Sequence, residues 1–171
     1  VPGMGRAWSQ NLGFRIHGNI GRHLPRKSIR LYARNAYDDS DTMDFPFVPG
    51  RVQMGSGEPL ESYRRLLLRM GFFDALQTPI KSGFLNTIAG GLDLDGSGYA
   101  PAVHFLNGEY WGMVNFRERM DEHFFASHYD ANPDSIAIIE NGGNIVEGTA
   151  ADADDLQGLL QFASTHDLST P

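Results

Sequence analysis

The sequence contains no cysteine, which excludes disulfide bonds and metal sites built on thiolates. It also lacks any apolar run near the roughly 20 residues of a membrane-spanning helix, and nothing at its start has the pattern of a signal peptide. A chain of 171 residues has the length of one domain and buries enough surface for a core without cross-links. Because it begins without Met and ends at 169–171 without a closing element, we expect one lobe, 1–171, of a longer protein.

Positive charge is scarce and unevenly placed. The net charge of −7 argues against a general nucleic-acid binder, and no Lys or Arg follows position 130. Between positions 11 and 37, by contrast, there are six Lys or Arg residues and no acid. Such a local basic segment indicates a small anionic ligand bound at one place. An ordinary solvated face of two strands explains it equally well.

The hydrophobic pattern predicts the α+β class, with an antiparallel or mixed sheet and flanking helices. Segments 14–17 and 29–34 alternate apolar and polar residues, as half-buried strands do, and should form a hairpin with a long basic connection. A loop is predicted at 38–57. Other strands are predicted at 66–68 and 135–140, and helices at 77–89, closed by Gly90-Gly91, at 118–129 and around 156–163.

The stretch 103–121, VHFLNGEYWGMVNFRERMD, is the most informative part of the chain. Its Asn107-Gly108 pair predicts a two-residue hairpin turn, because both turn residues need positive φ. Gly112 inside the second strand indicates a bulge or a close neighbour. Tyr110 and Trp111 could stack on an adenine or a sugar, although aromatics beside a tight turn more often pack across strands.

The connection 18–28 has the components of a phosphate-binding loop. Glycines let backbone N–H groups approach phosphate oxygens, and cations neutralise them; the segment offers Gly18, Gly21, Arg22, Arg26 and Lys27. It is not a Walker A loop, because Arg26 stands where the second glycine belongs and a strand is expected to follow. A merely soluble, Arg-rich connection remains the alternative.

These motifs resemble those of the CotH kinase family, the spore-coat and secreted atypical kinases. The stretch 103–121 is similar to the family pattern LNGEYWGxYNxRExxD, and RIHGNIGR followed by PRKSIRL is similar to RGNSSR followed by PKKSFRL. Departures are Ile20 and Gly21 for two serines, Arg26 for a lysine, and Met70 and Phe73 for asparagines of an LRNGGND-like run. The resemblance covers roughly 13–148 and implies a fold like the N-terminal lobe of an atypical protein kinase.

The resemblance also implies a nucleotide site. Arg22 and Lys27, with Arg26 beside them, would face the phosphates of ATP, and Glu118 at the start of a helix would pair with Lys27. Ile139 and Glu140 would line the base pocket. Networks of charged residues on a helix surface commonly have the same composition as the segment around Glu118, so a purely structural role for it stays open.

ATP and magnesium are the implied cofactors, and Ser or Thr of a surface or coat protein is the implied substrate. The carboxylates that hold Mg²⁺ belong to family motifs downstream of this chain, so we expect no catalytic residue here and no activity of the chain alone. The expected location is secreted, at the bacterial surface, or in the spore coat. The alternative is a non-catalytic binding or structural module derived from the same fold.

Two other patterns suggest metal ligands but are incomplete. The run 93–98 matches the first half of a calcium loop, but His104 stands where a bidentate Glu belongs. His123 and His128 diverge by about 140° on a helix, so they are expected to be solvated. No metal site is predicted within the chain.

Overall fold

Five antiparallel strands form the main sheet. The computed structural model describes residues 8–71, 81–89, 92 and 96–167, and the chain divides into two compact units, Val1–Met120 and Asp121–Pro171. The strands of the first unit are β1 (Gly13–His17), β2 (Ser28–Tyr32), β3 (Met43–Asp44), β4 (Ser62–Tyr63), β5 (Arg65–Arg69), β6 (Tyr99–Leu106) and β7 (Glu109–Glu118). The sheet has the spatial order β1-β2-β5-β7-β6, and β3 pairs separately with β4.

The α+β class is confirmed, as are the strands predicted from alternation. β1 and β2 pair as a hairpin from Gly13 opposite Tyr32 to His17 opposite Ser28, and β5 covers the predicted segment 66–68. The predicted loop 38–57 contains only the two residues of β3 and an isolated bridge from Val52 to Pro59. Asn107 and Gly108 have φ of 53° and 84°, as the predicted two-residue turn between β6 and β7 requires.

The two faces of the sheet differ in chemistry because side chains alternate along each strand. On the apolar face, Ile29, Leu68 and Val114 are buried in one cluster, and Leu66 packs in a second cluster with Met43. Burial of each such side chain stabilises the fold by about 1.5–3 kcal/mol. On the opposite face, here called the basic face, the strands carry Arg15, Arg30, Arg65, Arg69 and Arg117.

Helix α1 (Lys81–Ala89) packs on the basic face. Gly83 lies against the ring of Tyr99, where a Cβ would collide, and Nη1 of Arg117 donates to Oγ of Ser82 over 3.4 Å. The helix predicted at 77–89 is confirmed from Lys81 onwards. Its expected start at 77–80 and its expected Gly90-Gly91 end lie outside the described residues.

The predicted helix start at Glu118 is wrong, because β7 continues to Glu118 and helix α2 (Glu122–Tyr129) begins four residues later. Asp121 is the N-cap of α2: its Oδ1 accepts hydrogen bonds from the backbone N–H of His123 and Phe124 at 3.1 and 3.2 Å. These bonds satisfy donors that the first turn of a helix otherwise leaves unpaired. The sequence does not reveal where β7 ends, because the last residues of the strand are buried on both faces and therefore do not alternate between apolar and polar.

The second unit contains α2, a two-stranded ribbon and a longer helix. The ribbon pairs β8 (Ile138–Glu140) with β9 (Asn144–Glu147), so the strand predicted at 135–140 is confirmed only from Ile138. Helix α3 (Ala150–Thr165) confirms the predicted C-terminal helix. Oδ2 of Asp152 accepts 2.7 Å hydrogen bonds from N and Oγ1 of Thr149 at its start, and these bonds lower the pKa of Asp152.

His128 corrects one expectation about this unit. It was expected in solvent, but its side chain is buried and its ring centroid lies 4.1 Å from that of Phe124. His123 is half-buried, with Nε2 3.6 Å from Oε1 of Glu122. None of the helices in the described ranges has both the length and the hydropathy that crossing a bilayer requires.

Candidate functional site

A basic cavity lies where the ends of β1, β2 and β5 meet. The strand register places His17 opposite Ser28 and, one step beyond the Ile29–Leu68 pair, Ser28 beside Arg69. The loop after β1 closes the cavity, which has a volume of about 430 Å³ and is lined by His17, Gly18, Asn19, Ile20, Gly21, Ser28 and Arg69. Gly18 has a φ of 109°, which brings the loop backbone into a conformation that side chains with a Cβ rarely adopt.

His17 reports a positive potential in this cavity. Burial, and after it the positive charges of Arg30, Arg119, Arg69 and Arg22, together lower the pKa of His17 to about 4. Nη2 of Arg30 lies 2.9 Å from Nδ1 of His17. Because a guanidinium group only donates, Nδ1 must be the acceptor, and the neutral ring carries its proton on Nε2.

The charge on the basic face is not compensated within its own strands. The described strand residues on this face include five arginines and no Asp or Glu. In the part of the chain that the structure describes, Arg15, Arg30 and Arg69 have no carboxylate within ion-pair distance. Burial lowers the pKa of Arg117, and the nearby Arg69 contributes to this shift. A face of this kind attracts anions.

The three cations predicted at the phosphates are separated by the structure. Arg22 lies on a short 3-10 helix, Ile20–His23, and its positive charge contributes to the potential at His17. The Arg26 guanidinium instead lies against Gly112 of β7, with Cζ 3.2 Å from the position a Cβ would take. Nζ of Lys27 donates a 2.5 Å hydrogen bond to the carbonyl oxygen of Arg22.

Lys27 also lines a second cavity, on the apolar face. This cleft has a volume of about 370 Å³, and apolar side chains from β1, β2, β5 and the β6–β7 hairpin form most of its wall. Lys27 and Arg69 therefore border cavities on opposite faces of the same sheet. Of the three cations predicted at the phosphates, Arg22 is the one whose charge acts at the basic cavity.

Glu118 does not form the predicted ion pair with Lys27. Its side chain is 3% exposed, and its Oε2 lies 2.9 Å from Nε of Arg51 and accepts a 2.8 Å hydrogen bond from the backbone N–H of Gly98. The Arg51 Nε–H is not aligned for a hydrogen bond, so the contact is an ion pair only. From the strand register, the Cα atoms of Lys27 and Glu118 are roughly 16 Å apart. Glu118 thus anchors two loops at the end of β7.

The remaining predicted site residues belong to the second unit. Ile139 pairs with Ile145 and Glu140 with Asn144 in the β8–β9 ribbon, and their role in a base pocket stays a prediction. Asp93 and Asp95 of the calcium-like run lie outside the described residues. Among the described residues, no three His, Asp or Glu side chains come together as metal ligands would.

His17, Ser28 and Arg69 are the site residues that sequence reasoning missed. The sequence predicts His17 at the end of a strand, Ser28 in the connection 18–28 and Arg69 just after the strand 66–68, and it gives none of them a role. Combining the strand alternation with the register of three strands would have brought them together, but the β2–β5 pairing crosses the long 33–64 connection. Arg69 also belongs to the LRNGGND-like run of the family, which was a usable signal.

The sequence model of the family described as CotH kinase protein matches residues 14–166. The match includes β1 from its second residue, the loop that closes the basic cavity, and most of both compact units. No curated protein and no solved structure gave a significant match. The match extends over most of the 171 residues, and the chain therefore belongs to the CotH kinase family.

Proposed function

We propose that the chain is the nucleotide-binding part of a CotH-like kinase, and that the basic cavity holds the phosphates of ATP. The observation that carries the proposal is the cluster of Arg22, Arg30 and Arg69 near His17, whose positive charges add to burial in lowering the pKa of the imidazole. An anionic ligand would offset the repulsion among these cations, and phosphate groups suit arginine because its planar donors match their oxygens.

The cavity offers three kinds of donor to a phosphate. The exposed Arg69 supplies a guanidinium, and neutral His17 keeps a proton on Nε2. Gly18 and Gly21 have no side chain to keep backbone N–H groups from phosphate oxygens. Lys27 would act indirectly in this arrangement, because its bond to the Arg22 carbonyl fixes the loop that carries these glycines.

The order of elements supports a kinase-like assignment of Arg69. In protein kinases, the phosphate-binding lysine lies on the strand before the helix of the N-terminal lobe. Here β5 precedes α1, α1 packs on the basic face, and Arg69 ends β5 on that face. Arg69 would supply the positive charge, with guanidinium geometry in place of an ammonium group.

Phosphoryl transfer to Ser or Thr of a surface or coat protein is proposed for the full-length protein only. Such transfer needs carboxylates that hold Mg²⁺ and orient the acceptor hydroxyl. The resemblance to the family implies that these carboxylates belong to motifs downstream of this chain. When bound, Mg²⁺ would neutralise part of the triphosphate charge, while the cationic side chains position the phosphates.

Titration calorimetry of the full-length protein with ATP, ADP and inorganic triphosphate tests the proposal. We expect Arg69→Gln to weaken ATP and triphosphate binding roughly 10- to 100-fold, because a charged hydrogen bond is lost. Arg34→Gln is the matched control, since Arg34 is exposed and lies over the Tyr32 ring, away from the cavity. Equal ATP affinities of the two variants would show that the phosphates do not bind in this cavity.

The β6–β7 hairpin favours a second candidate, a non-catalytic binding module. Val103 faces Met113, and Phe105 faces Tyr110 with ring centroids 5.8 Å apart, yet all four side chains are exposed. Such a patch is typical of protein or glycan contacts. If the full-length protein binds no nucleotide but loses its surface or coat association in Phe105→Ser, this candidate replaces the kinase.

A further inference from the structure

Strand β1 lies at one edge of the sheet, and its side chains are apolar on one face and basic on the other. Among the described strands, β1 pairs with β2 alone. Phe14 and Ile16 point to the apolar face and are 69% and 44% exposed, whereas Arg15 points to the basic face and is also exposed. Proteins usually protect such edges, because unpaired backbone groups accept a further strand.

The apolar side of this edge borders an open cleft. Phe14 and Ile16 form one wall of the cavity of about 370 Å³ on the apolar face, and Ile29, Leu31 and Leu68 form its floor. A strand added beside β1 would direct every second side chain towards this wall. Apolar side chains at those positions would cover Phe14 and Ile16.

The basic side of the edge places like charges together. Arg15 lies directly opposite Arg30, an arrangement that destabilises a sheet unless another charge compensates it. Nη1 of Arg30 donates to the hydroxyl of Tyr32 and Nη2 to His17, so both partners are neutral. A strand added beside β1 would place a side chain next to Arg15 on this face, and a carboxylate there would offset the repulsion.

We propose that the edge of β1 binds an extended segment of a partner protein in which apolar and acidic residues alternate. Its backbone would continue the sheet, its apolar side chains would cover Phe14 and Ile16, and its carboxylates would pair with Arg15 and Arg30. A second copy of this chain does not fit, because pairing β1 with β1 would add the cations of one copy to those of the other. The proposal does not depend on nucleotide binding.

Fluorescence anisotropy of the full-length protein with labelled synthetic peptides tests the proposal. The probe is a short peptide of alternating Val and Glu, and the comparison peptide alternates Val and Lys. We expect the Glu peptide to bind at least about 10-fold more tightly. A third peptide keeps the Glu side chains but carries N-methyl groups on the edge that would face β1. It should lose binding by a similar factor, because it cannot donate backbone hydrogen bonds.

Single substitutions in β1 test the charged face and the apolar face of the edge separately. Arg15→Glu should reverse the preference towards the Lys peptide, and Phe14→Ser should weaken the Glu peptide without changing the order of preference. Arg34→Glu, at an exposed site outside β1, is the control and should retain the original preference. Circular dichroism checks that each variant folds.

Three results would overturn the proposal. If the Glu and Lys peptides bound equally well, or not at all, the edge would not select its partner by charge. If the N-methyl peptide bound as well as the Glu peptide, the partner would not pair with the backbone of β1. Self-association in sedimentation experiments that Arg15→Glu abolishes would identify a second copy as the occupant. None of these outcomes bears on ATP affinity, so failure here is distinguishable from failure of the proposed function.

Discussion

Nη2 of Arg30 lies 2.9 Å from Nδ1 of His17, and this contact joins β1 to β2 on the basic face. It fixes the tautomer of the imidazole and directs the Nε2 proton away from Arg30. His17 therefore serves as a spectroscopic reporter for any anion that enters the basic cavity.

The pKa of His17 should rise when phosphates bind. Without a ligand it is lowered to about 4 by burial and by the surrounding arginines. A triphosphate beside the ring would favour the imidazolium and move the pKa back towards 6.5. NMR titration of the His17 ring protons with and without ATP measures the shift. An unchanged pKa in the presence of saturating nucleotide would place the phosphates elsewhere.

The same group should make the fold less stable in acid. The unfolded imidazole protonates near pH 6.5 and the folded one only near pH 4, so the unfolded state binds more protons between these values. Stability is therefore lost as the pH falls from about 6.5 to about 4, by about 1–2 kcal/mol after allowance for solvent screening.

Urea unfolding at pH 7 and pH 4.5 measures this contribution. His17→Gln should lose less stability between the two pH values than the parent protein does. His23→Gln removes an exposed histidine of the adjoining loop and should behave like the parent. Equal acid sensitivity of all three proteins would contradict the assignment.

Replacement of Glu118 should affect stability more than nucleotide affinity. Glu118→Ala removes the buried partner of Arg51 and the acceptor of the Gly98 N–H, and breaking such a pair costs about 3 kcal/mol. Glu118→Gln keeps the acceptor and should cost less. Urea unfolding gives the free energies, and ATP titration of the folded Gln variant gives the affinity. A large drop in affinity without loss of stability would instead support the role at the nucleotide predicted from the sequence.

Gly112→Ala should destabilise the sheet by about 1–3 kcal/mol. Gly112 has a φ of 113°, and a Cβ there would lie 3.2 Å from Cζ and Nη1 of Arg26. Adding Arg26→Ala should relieve the crowding but not the backbone strain, so it should restore only part of the stability. Thermal unfolding of both variants tests this. Gly21→Ala is the control, because no atom lies within 4 Å of a Cβ at that position.

Local features of this fold are predictable from the sequence. The β6–β7 turn follows from Asn107-Gly108, because few other residue pairs tolerate two positive φ values. β1 and β2 follow from the alternation of Phe14, Arg15 and Ile16 and its continuation after the loop. Gly112 is predictable as a place of close approach, although its neighbour Arg26 is not.

Long-range contacts are what the sequence does not determine on its own. Glu118 pairs with Arg51 of an irregular loop, and no periodic pattern relates the two residues. The start of α2 is displaced to Glu122 because Arg117 and Glu118 are both buried, which hides the alternation that would mark a strand. The basic cavity depends on which strands are neighbours, and sequence order alone leaves that choice open.

The two-residue turn at Asn107-Gly108 has a consequence for folding kinetics. Closing so short a loop requires little chain entropy, whereas the β2–β5 pairing must close the much longer 33–64 connection. The β6–β7 hairpin is therefore expected to nucleate early and to offer the edge of β7 as a template for β5. Replacement of Gly108 should accordingly slow refolding more than it accelerates unfolding.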